Sequence, residues 1–185
     1  MANVFKGIDD KLAAFLRAQH LFFVATAPSG REGHVNVSPK GHDSFRIVDP
    51  KTVAYLDLTG SGIETISHLR DNGRITLMFC AFEGPPRIVR LQGKGRVIEQ
   101  SSPEFPEWRA RFPEHDGVRS VIVAELDRVS DSCGYGVPLL TFAGERPQMQ
   151  AWLDNKGPDG VKTYQEEHNV SIDGLPALTA AQAHS

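Results

Sequence analysis

The sequence predicts a mainly β (α+β) fold, an antiparallel barrel of six or seven strands with helices packed outside it. Short segments rich in β-branched and aromatic residues recur between Phe22 and Leu126, each bounded by turn residues. One short helix interrupts them, and the connections are tight. The regular strand–helix alternation that a doubly wound parallel sheet needs is absent.

Each element has its own signal. Over residues 8–20, Ile8, Leu12, Phe15 and Leu16 recur at helical spacing, with Asp9 and Asp10 at the end the helix dipole favours. Phe22–Thr26 reads as a strand and Pro28-Ser29-Gly30 as a turn. Residues 35–38 form a second strand, which Pro39 stops. Residues 44–48 and 52–58 flank Asp49-Pro50-Lys51, a hairpin because proline presets the turn dihedral. Over 63–72, Ile63, Ile66 and Leu69 line one helix face and Asn72-Gly73 supplies the stop. RITLMFCAF, 74–82, is a nearly continuous apolar strand; Gly84-Pro85-Pro86 breaks it, and 87–98 is a long strand. Residues 102–115 are helical, with Trp108 and Phe112 one turn apart, and SVIVAEL, 120–126, is the last strand. Beyond it, 133–142 is irregular, 147–156 and 161–167 are helices, and 171–176 is an extended arm. No internal repeat or linker divides the chain. It is read as one domain over 1–185, with a barrel core about 21–130 and C-terminal helices and arm over 131–185.

Composition narrows the function. Of 185 residues 40% are apolar and 23% charged, and the formal charge of −3 argues against a dedicated nucleic-acid binder. No apolar run approaches the roughly 20 residues that span a bilayer. The start, MANVFKGIDDKLAAFL, mixes charges through its apolar residues and has no signal-peptide core. A cytoplasmic protein is expected, without nucleic-acid or membrane partners. Cys80 and Cys133 lie far apart in apolar surroundings, with no CxxC, and are read as buried free thiols.

Four segments could carry chemistry. In Asn36-Val37-Ser38-Pro39-Lys40-Gly41, alternation puts Asn36 and Ser38 on one face, and Pro39 and Gly41 hold an irregular stretch whose amides cannot all join a ladder. Its polar groups and the Lys40 ammonium are free to meet a planar heteroaromatic or a phosphate; a polar strand ending in a surface turn is the plainer reading of these residues alone. In Thr59-Gly60-Ser61-Gly62-Ile63-Glu64-Thr65, two glycines and two hydroxyls run into a helix start, a ready anion site. Ser61 and Glu64 also have the spacing of a capping box. A Glu64 carboxylate aimed at a phosphate would repel it, so Glu64 is expected to turn back onto its helix or to face a sugar hydroxyl. In 87–94, alternation sends Arg90, Gln92 and Lys94 to one face; the arginine fork suits phosphate, the glutamine a ring edge, and a solvated face is the plain alternative. In Ser132-Cys133-Gly134-Tyr135-Gly136-Val137-Pro138, the glycines allow close approach to a ring, and Tyr135 or the later Trp152 could stack on one; a surface loop and a packed helix explain them as well. Glu64 and His68, one turn apart, are read as a surface pair, because no third metal ligand accompanies them. No nucleophile, Walker or dinucleotide motif is present.

In their order, these segments resemble the pyridoxamine 5′-phosphate oxidase superfamily of FMN-binding split barrels. The resemblance covers about 21–126. It is carried by Tyr55-Leu56-Asp57-Leu58, the Thr59-Gly60-Ser61 loop, the helix ending His68-Leu69-Arg70-Asp71-Asn72-Gly73-Arg74, and Arg87-Ile88-Val89-Arg90-Leu91-Gln92-Gly93. It implies an antiparallel split β-barrel with peripheral helices, a homodimer, and FMN in a cleft shared by two chains. It also implies flavin-dependent oxidoreductase chemistry on a small-molecule redox substrate. Lys40 then stands for the lysine near the flavin and Arg90 for the second arginine of an R-Q-V-R-type strand. Asn36, Ser38 and Pro39 fall beside the ring system, and Thr59, Ser61, Glu64 and Thr65 where the ribityl-phosphate is held; Asp57, Gln92, Tyr135 and Trp152 complete the candidate cofactor set. The family's leading arginine is Val35 here, its Arg-Lys pair is Glu64-Thr65, and its flavin-contacting glutamine is Ile88. The true oxidase's arginine- and proline-bearing ending is replaced by Ala177-Leu178-Thr179-Ala180-Ala181, so pyridoxamine phosphate is not the expected substrate. Other readings are a deazaflavin in place of FMN, a non-enzymatic flavin- or haem-binding sensor, carrier or scavenger with His34, His42 or His68 as the axial haem ligand, and an empty barrel acting as a dimeric interaction module.

Overall fold

The structure is a computed structural model that describes residues 3–179. Met1 and Ala2 of the N-terminal reading, and Ala180 and Ala181 of the ending, lie outside the described residues. In chain order the elements are β1 (Val4–Phe5), α1 (Asp10–Arg17), β2 (Phe22–Thr26), β3 (Asn36–Lys40), β4 (Phe45–Asp49) and β5 (Thr52–Leu58). They continue with α2 (Glu64–Asn72), β6 (Arg74–Cys80), β7 (Ile88–Glu99), α3 (Phe105–Arg109), β8 (Val118–Ser132) and α4 (Gln148–Glu167).

The strands make one antiparallel sheet in the order β3-β2-β6-β7-β8-β5-β4, with β1 beside β8. It is open: β3 and β4, at its two ends, do not pair with each other. Strand alternation sorts side chains between two cores. Val53 and Tyr55 of β5 enter the main core with Val24, Leu77, Leu91 and Ile122. Ala54 and Leu56 face a second layer with Ile98, Val121 and Phe112, against which Phe105 and Trp108 of the α3 helix pack. Burying each large apolar side chain contributes about 1.5–3 kcal/mol. Leu12 and Leu16 of α1 plug the main core, and Asp9 caps that helix by accepting from the Leu12 amide at 2.8 Å.

Helix α2 ends on Gly73 at φ 71, the left-handed stop its sequence requires. Helix α4 breaks at Gly157, φ 66, just before Pro158, giving the two helical halves that the sequence separates. Other elements differ from expectation, each for a reason. The strand expected to stop at Pro39 passes through it, because β3 is an edge strand and edges tolerate proline. The helix expected over 102–115 shrinks to α3, with Pro106 in its first turn and Pro113 disfavouring helical geometry at Phe112. The arm expected to be extended is a tight loop. Val170 bridges Pro176, the Ser171 amide donates to the Leu175 carbonyl at 2.9 Å, and Gly174 turns at φ 77. Ala177 and Leu178 then enter the main core. Cys80 is a buried free thiol as expected, whereas Cys133 is exposed, because it lies where the chain leaves the sheet.

Strand β8 runs past residue 126 because of a bulge. On β7, Gly93 pairs with Leu126 and Gln92 with Arg128, so Asp127 is an extra residue. The extra residue inverts the alternation, and both Leu126 and Val129 face the main core. Opposite the bulge, a Cβ on Gly93 would lie 1.9 Å from the Glu125 carbonyl oxygen. Gly93→Ala is expected to cost about 1–3 kcal/mol by forcing the two backbones apart. Gly136→Ala, which meets nothing within 4 Å, is expected to be near neutral. Urea unfolding of the two variants measures the difference.

Candidate functional site

A second bulge on β8 builds the site. Asp57 pairs with Ser120 and Leu58 with Val118, which leaves Arg119 as the extra residue against β5. Bulges re-aim side chains, and here the Arg119 fork turns onto the Asp57 carboxylate. Its Nε donates to Oδ2 at 2.7 Å and its Nη2 to Oδ1 at 3.2 Å. Nη2 also donates to the Gly62 carbonyl at 3.0 Å, which ties the 59–62 loop to the barrel. The same loop is fixed at its start, where the Thr59 amide and hydroxyl both donate to the Gly117 carbonyl, at 2.8 and 2.7 Å. Asp57 and Arg119 are 1% and 5% exposed, so this is a buried ion pair. Burial pushes the Asp57 carboxyl up, but the charges of Arg119 and then Lys40 outweigh it and hold the group below the usual carboxylate range. Burial and then the Asp57 charge push the Tyr55 phenol well above its ordinary value.

The polar face of β3 meets this pair. Lys40 Nζ stands 3.9 Å from Asp57 Oδ1. Asn36 Nδ2 donates to Thr65 Oγ1 at 3.1 Å and to Thr26 Oγ1 at 3.3 Å, and Ser38 Oγ donates to Asn36 Oδ1 at 3.0 Å. Thr26 Oγ1 in turn lies 3.0 Å from Nδ1 of His68. His68 is fully buried rather than half of a surface pair, since its helix face turns toward β2. Desolvation keeps its pKa below the ordinary value despite the carboxylates of Asp173 and Glu64.

The structure therefore brings Asn36, Ser38, Lys40, Asp57 and Thr65 together, with Thr59 beside them. Helix α2 starts at Glu64 with Ile63 as its N-cap and no side-chain cap, so the Ser61–Glu64 capping box does not form. The reason is local: the helix begins two residues too late for Ser61 to hold the cap position. Ser61 is exposed, and Glu64 folds back over the loop, its Oε2 2.7 Å from where a Cβ on Gly62 would stand. Other candidates lie elsewhere. Pro39, Arg90 and Gln92 are on the opposite face of the sheet from Lys40. Lys40 shares a cross-strand row with Phe22, Phe79 and Val89, all in the main core, whereas Pro39 and Arg90 share the adjacent row with Phe23 and Met78. Arg90 Nη1 donates to Ser132 Oγ at 3.1 Å. Tyr135 is 82% exposed, and Trp152 packs edge-on against Tyr164 with centroids 5.0 Å apart. Arg119, the cation that organises the site, was not singled out from the sequence; Asp57 was its only signal, a carboxylate in a strand otherwise fit for burial.

For an anion the 59–65 segment offers the uncapped α2 start and the exposed Ser61 hydroxyl, and Lys40 stands beside Asp57. These donors fit a phosphate ester. The charge of the site is modest, because Asp57 offsets Arg119 and Glu64 stands in the first turn. Among the described residues no group of three or more His, Cys, Asp or Glu could hold a metal ion, and no helix is long and apolar enough to cross a membrane.

An open antiparallel barrel with a helix start delivered onto an edge strand defines the split-barrel class. The sequence profile described as pyridoxamine 5′-phosphate oxidase matches residues 8–133. The chain belongs to the pyridoxamine 5′-phosphate oxidase family. It is 41% identical over 201 residues, spanning 98% of this chain and 80% of the other, to the pyridoxamine 5′-phosphate oxidase family protein ustO of Aspergillus flavus. Among solved structures, HupZ of Group A Streptococcus aligns with a TM-score of 0.51 and 23% identity, covering 66% of this chain and 91% of that one. A Lactobacillus delbrueckii protein bearing the pyridoxamine 5′-phosphate oxidase name aligns at 0.53 and 19% identity, covering 68% and 94%. At these identities the two structures show the shared fold.

Asp57→Asn leaves the Arg119 charge buried without its counter-ion and is expected to cost about 3–5 kcal/mol. The sign of the pH dependence follows from the depressed Asp57 pKa. The pair's stabilisation is present above the unfolded carboxyl value of about 3.9 and is lost as pH falls through the lower folded value. Urea midpoints of parent and variant between neutral pH and strongly acid conditions are expected to converge as Asp57 protonates.

Proposed function

We propose that the protein is an FMN-dependent oxidoreductase acting on a small-molecule redox substrate, and that two copies form a homodimer sharing each flavin. The observation that carries this reading is the meeting of the β3 polar face with the uncapped start of α2. The amides and hydroxyls there suit a ribityl-phosphate, the group that the resemblance to FMN-binding split barrels implies. Lys40, Ser61 and the first-turn amides would hold the phosphate, and Asn36, Ser38 and Thr65 would set hydrogen bonds beside it. FMN, when bound, supplies hydride acceptance and donation, while the chain binds it, orients it and keeps water away.

The dimer is favoured by the division of the candidate residues between two faces. Lys40 and Arg90 of one chain do not meet on one ligand, since they project from opposite faces of the same sheet. The outer face of β3-β2-β6-β7 carries Val35 at 69% and Val37 at 59% exposure beside Arg90 and Gln92, an apolar surface with a polar fringe. A second copy seated there would bring its own Lys40 site to Arg90 and Gln92. Haem is the second reading, since a carboxylate on Nδ1, as at His34 and His42, is the arrangement that presents Nε2 to an iron. His34 Nδ1 is 2.6 Å from Asp173, His42 Nδ1 is 3.4 Å from Glu145, and His68 is buried against Thr26.

The visible spectrum of the purified protein tests the reading. Flavin bands are expected; a Soret band or a featureless spectrum that FMN does not change would overturn it, and the mass of the released chromophore separates FMN from a deazaflavin. Lys40→Ala and Arg90→Ala are each expected to weaken FMN binding by about 1.5–3 kcal/mol, the range for a hydrogen bond to a charged group. Mixed dimers of the two variants are expected to regain one intact site, because the two losses then fall in the same cleft. No recovery on mixing would rule out sharing across chains.

A further inference from the structure

A cavity of about 700 Å³ opens between α4 and the end of the barrel where β7 stops and β8 begins. That volume is within the roughly 300–1,000 Å³ of pockets that enclose small organic ligands. Val118, Leu153, Val161 and Leu178, all buried, give it apolar walls. The break in α4 at Gly157 and Pro158 bends the helix along its rim. The family match ends at residue 133, so one wall belongs to the common barrel and the other to a segment outside that match.

The charge of the lining is one-sided. Arg119 is answered by Asp57, and Glu99 is bound by Arg70 and by the Thr179 amide and hydroxyl. Among the described residues Asp116 and Asp154 accept from the neutral Gln150 amide, both at 2.9 Å, and pair with no cation. With Asp159 and Glu166 they set four carboxylates against Lys162. Coulomb repulsion disfavours an anion there, so a phosphate ester or nucleotide is a poor occupant, while an ammonium group is drawn in.

We infer that this cavity binds a small organic cation, an amine carried on an apolar body that the Val118, Leu153 and Val161 wall encloses. The site is separate from the proposed flavin cradle, and its residues are distinct from those proposed to hold flavin. The two are neighbours: Gln165 lines the cavity and donates to Thr59 Oγ1 at 2.7 Å, and Arg119 reaches the same loop.

The test is isothermal titration of the full-length protein with tryptamine and phenethylamine, each beside its carboxylate counterpart, indole-3-propionate and 3-phenylpropionate. The amines are expected to bind saturably, one per chain, about tenfold or more tighter than the acids. Asp159→Lys combined with Glu166→Lys is expected to reverse that preference. Both side chains are exposed, so the fold is retained, which an unchanged thermal melt checks. FMN affinity of the same samples is read in parallel, so failure of the flavin reading is distinguishable from failure of this one. Equal binding of amines and acids, no saturable amine binding, or an unchanged preference in the double variant would overturn the inference.

Discussion

The arrangement of the site depends on one buried ion pair. Arg119 is the residue that a bulge displaces from the β5–β8 ladder, and its fork has two tasks: it neutralises Asp57 and it grips the carbonyl of Gly62. Without the bulge its side chain would follow the strand's alternation and could not reach the loop. Without Asp57 the guanidinium would be a bare charge inside the barrel. Lys40, Thr59 and the start of α2 are all placed relative to this pair.

The pair also sets the electrostatics. An anion cradle built on Arg119 would be strongly cationic if that charge were free, but Asp57 cancels it and Glu64 adds a negative charge at the helix start. In the proposed cradle, recognition at the loop therefore rests on amides and hydroxyls, with Lys40 as the main positive charge. This favours ligands that need many donors in fixed directions over ligands held by charge alone, and such binding is less sensitive to salt. The cavity behind α4 differs in kind, since Asp116, Asp154, Asp159 and Glu166 stand in its lining with Lys162.

Much of this was legible in the sequence where a local rule applied. The strand FFVAT, the hairpin around Pro50, the stop at Gly73 and the break before Pro158 follow from alternation, proline dihedrals and glycine's access to positive φ. Local rules failed where the sheet departed from its own period. Asp127 ended the alternating pattern, so the strand was read as stopping at Leu126 although it continues to Ser132. Arg119 lay at the other bulge, just before the predicted strand began, and gave no sign of its partner 62 residues away in sequence. Alternation correctly put Asn36 with Ser38 and Arg90 with Gln92; that the two pairs face opposite sides of the sheet depends on strand order, which no local window contains.

The hydrogen bond from Gln165 to Thr59 joins α4 to the 59–62 loop. A molecule that shifts α4 as it settles behind it pulls on Thr59, and any ligand gripping the loop pulls back through the same bond. Linkage makes such an influence mutual and equal in free energy. The helix outside the family match is thus a tuning lever, through which variation in one short segment reaches a loop that Gly117 and Arg119 anchor from the barrel side.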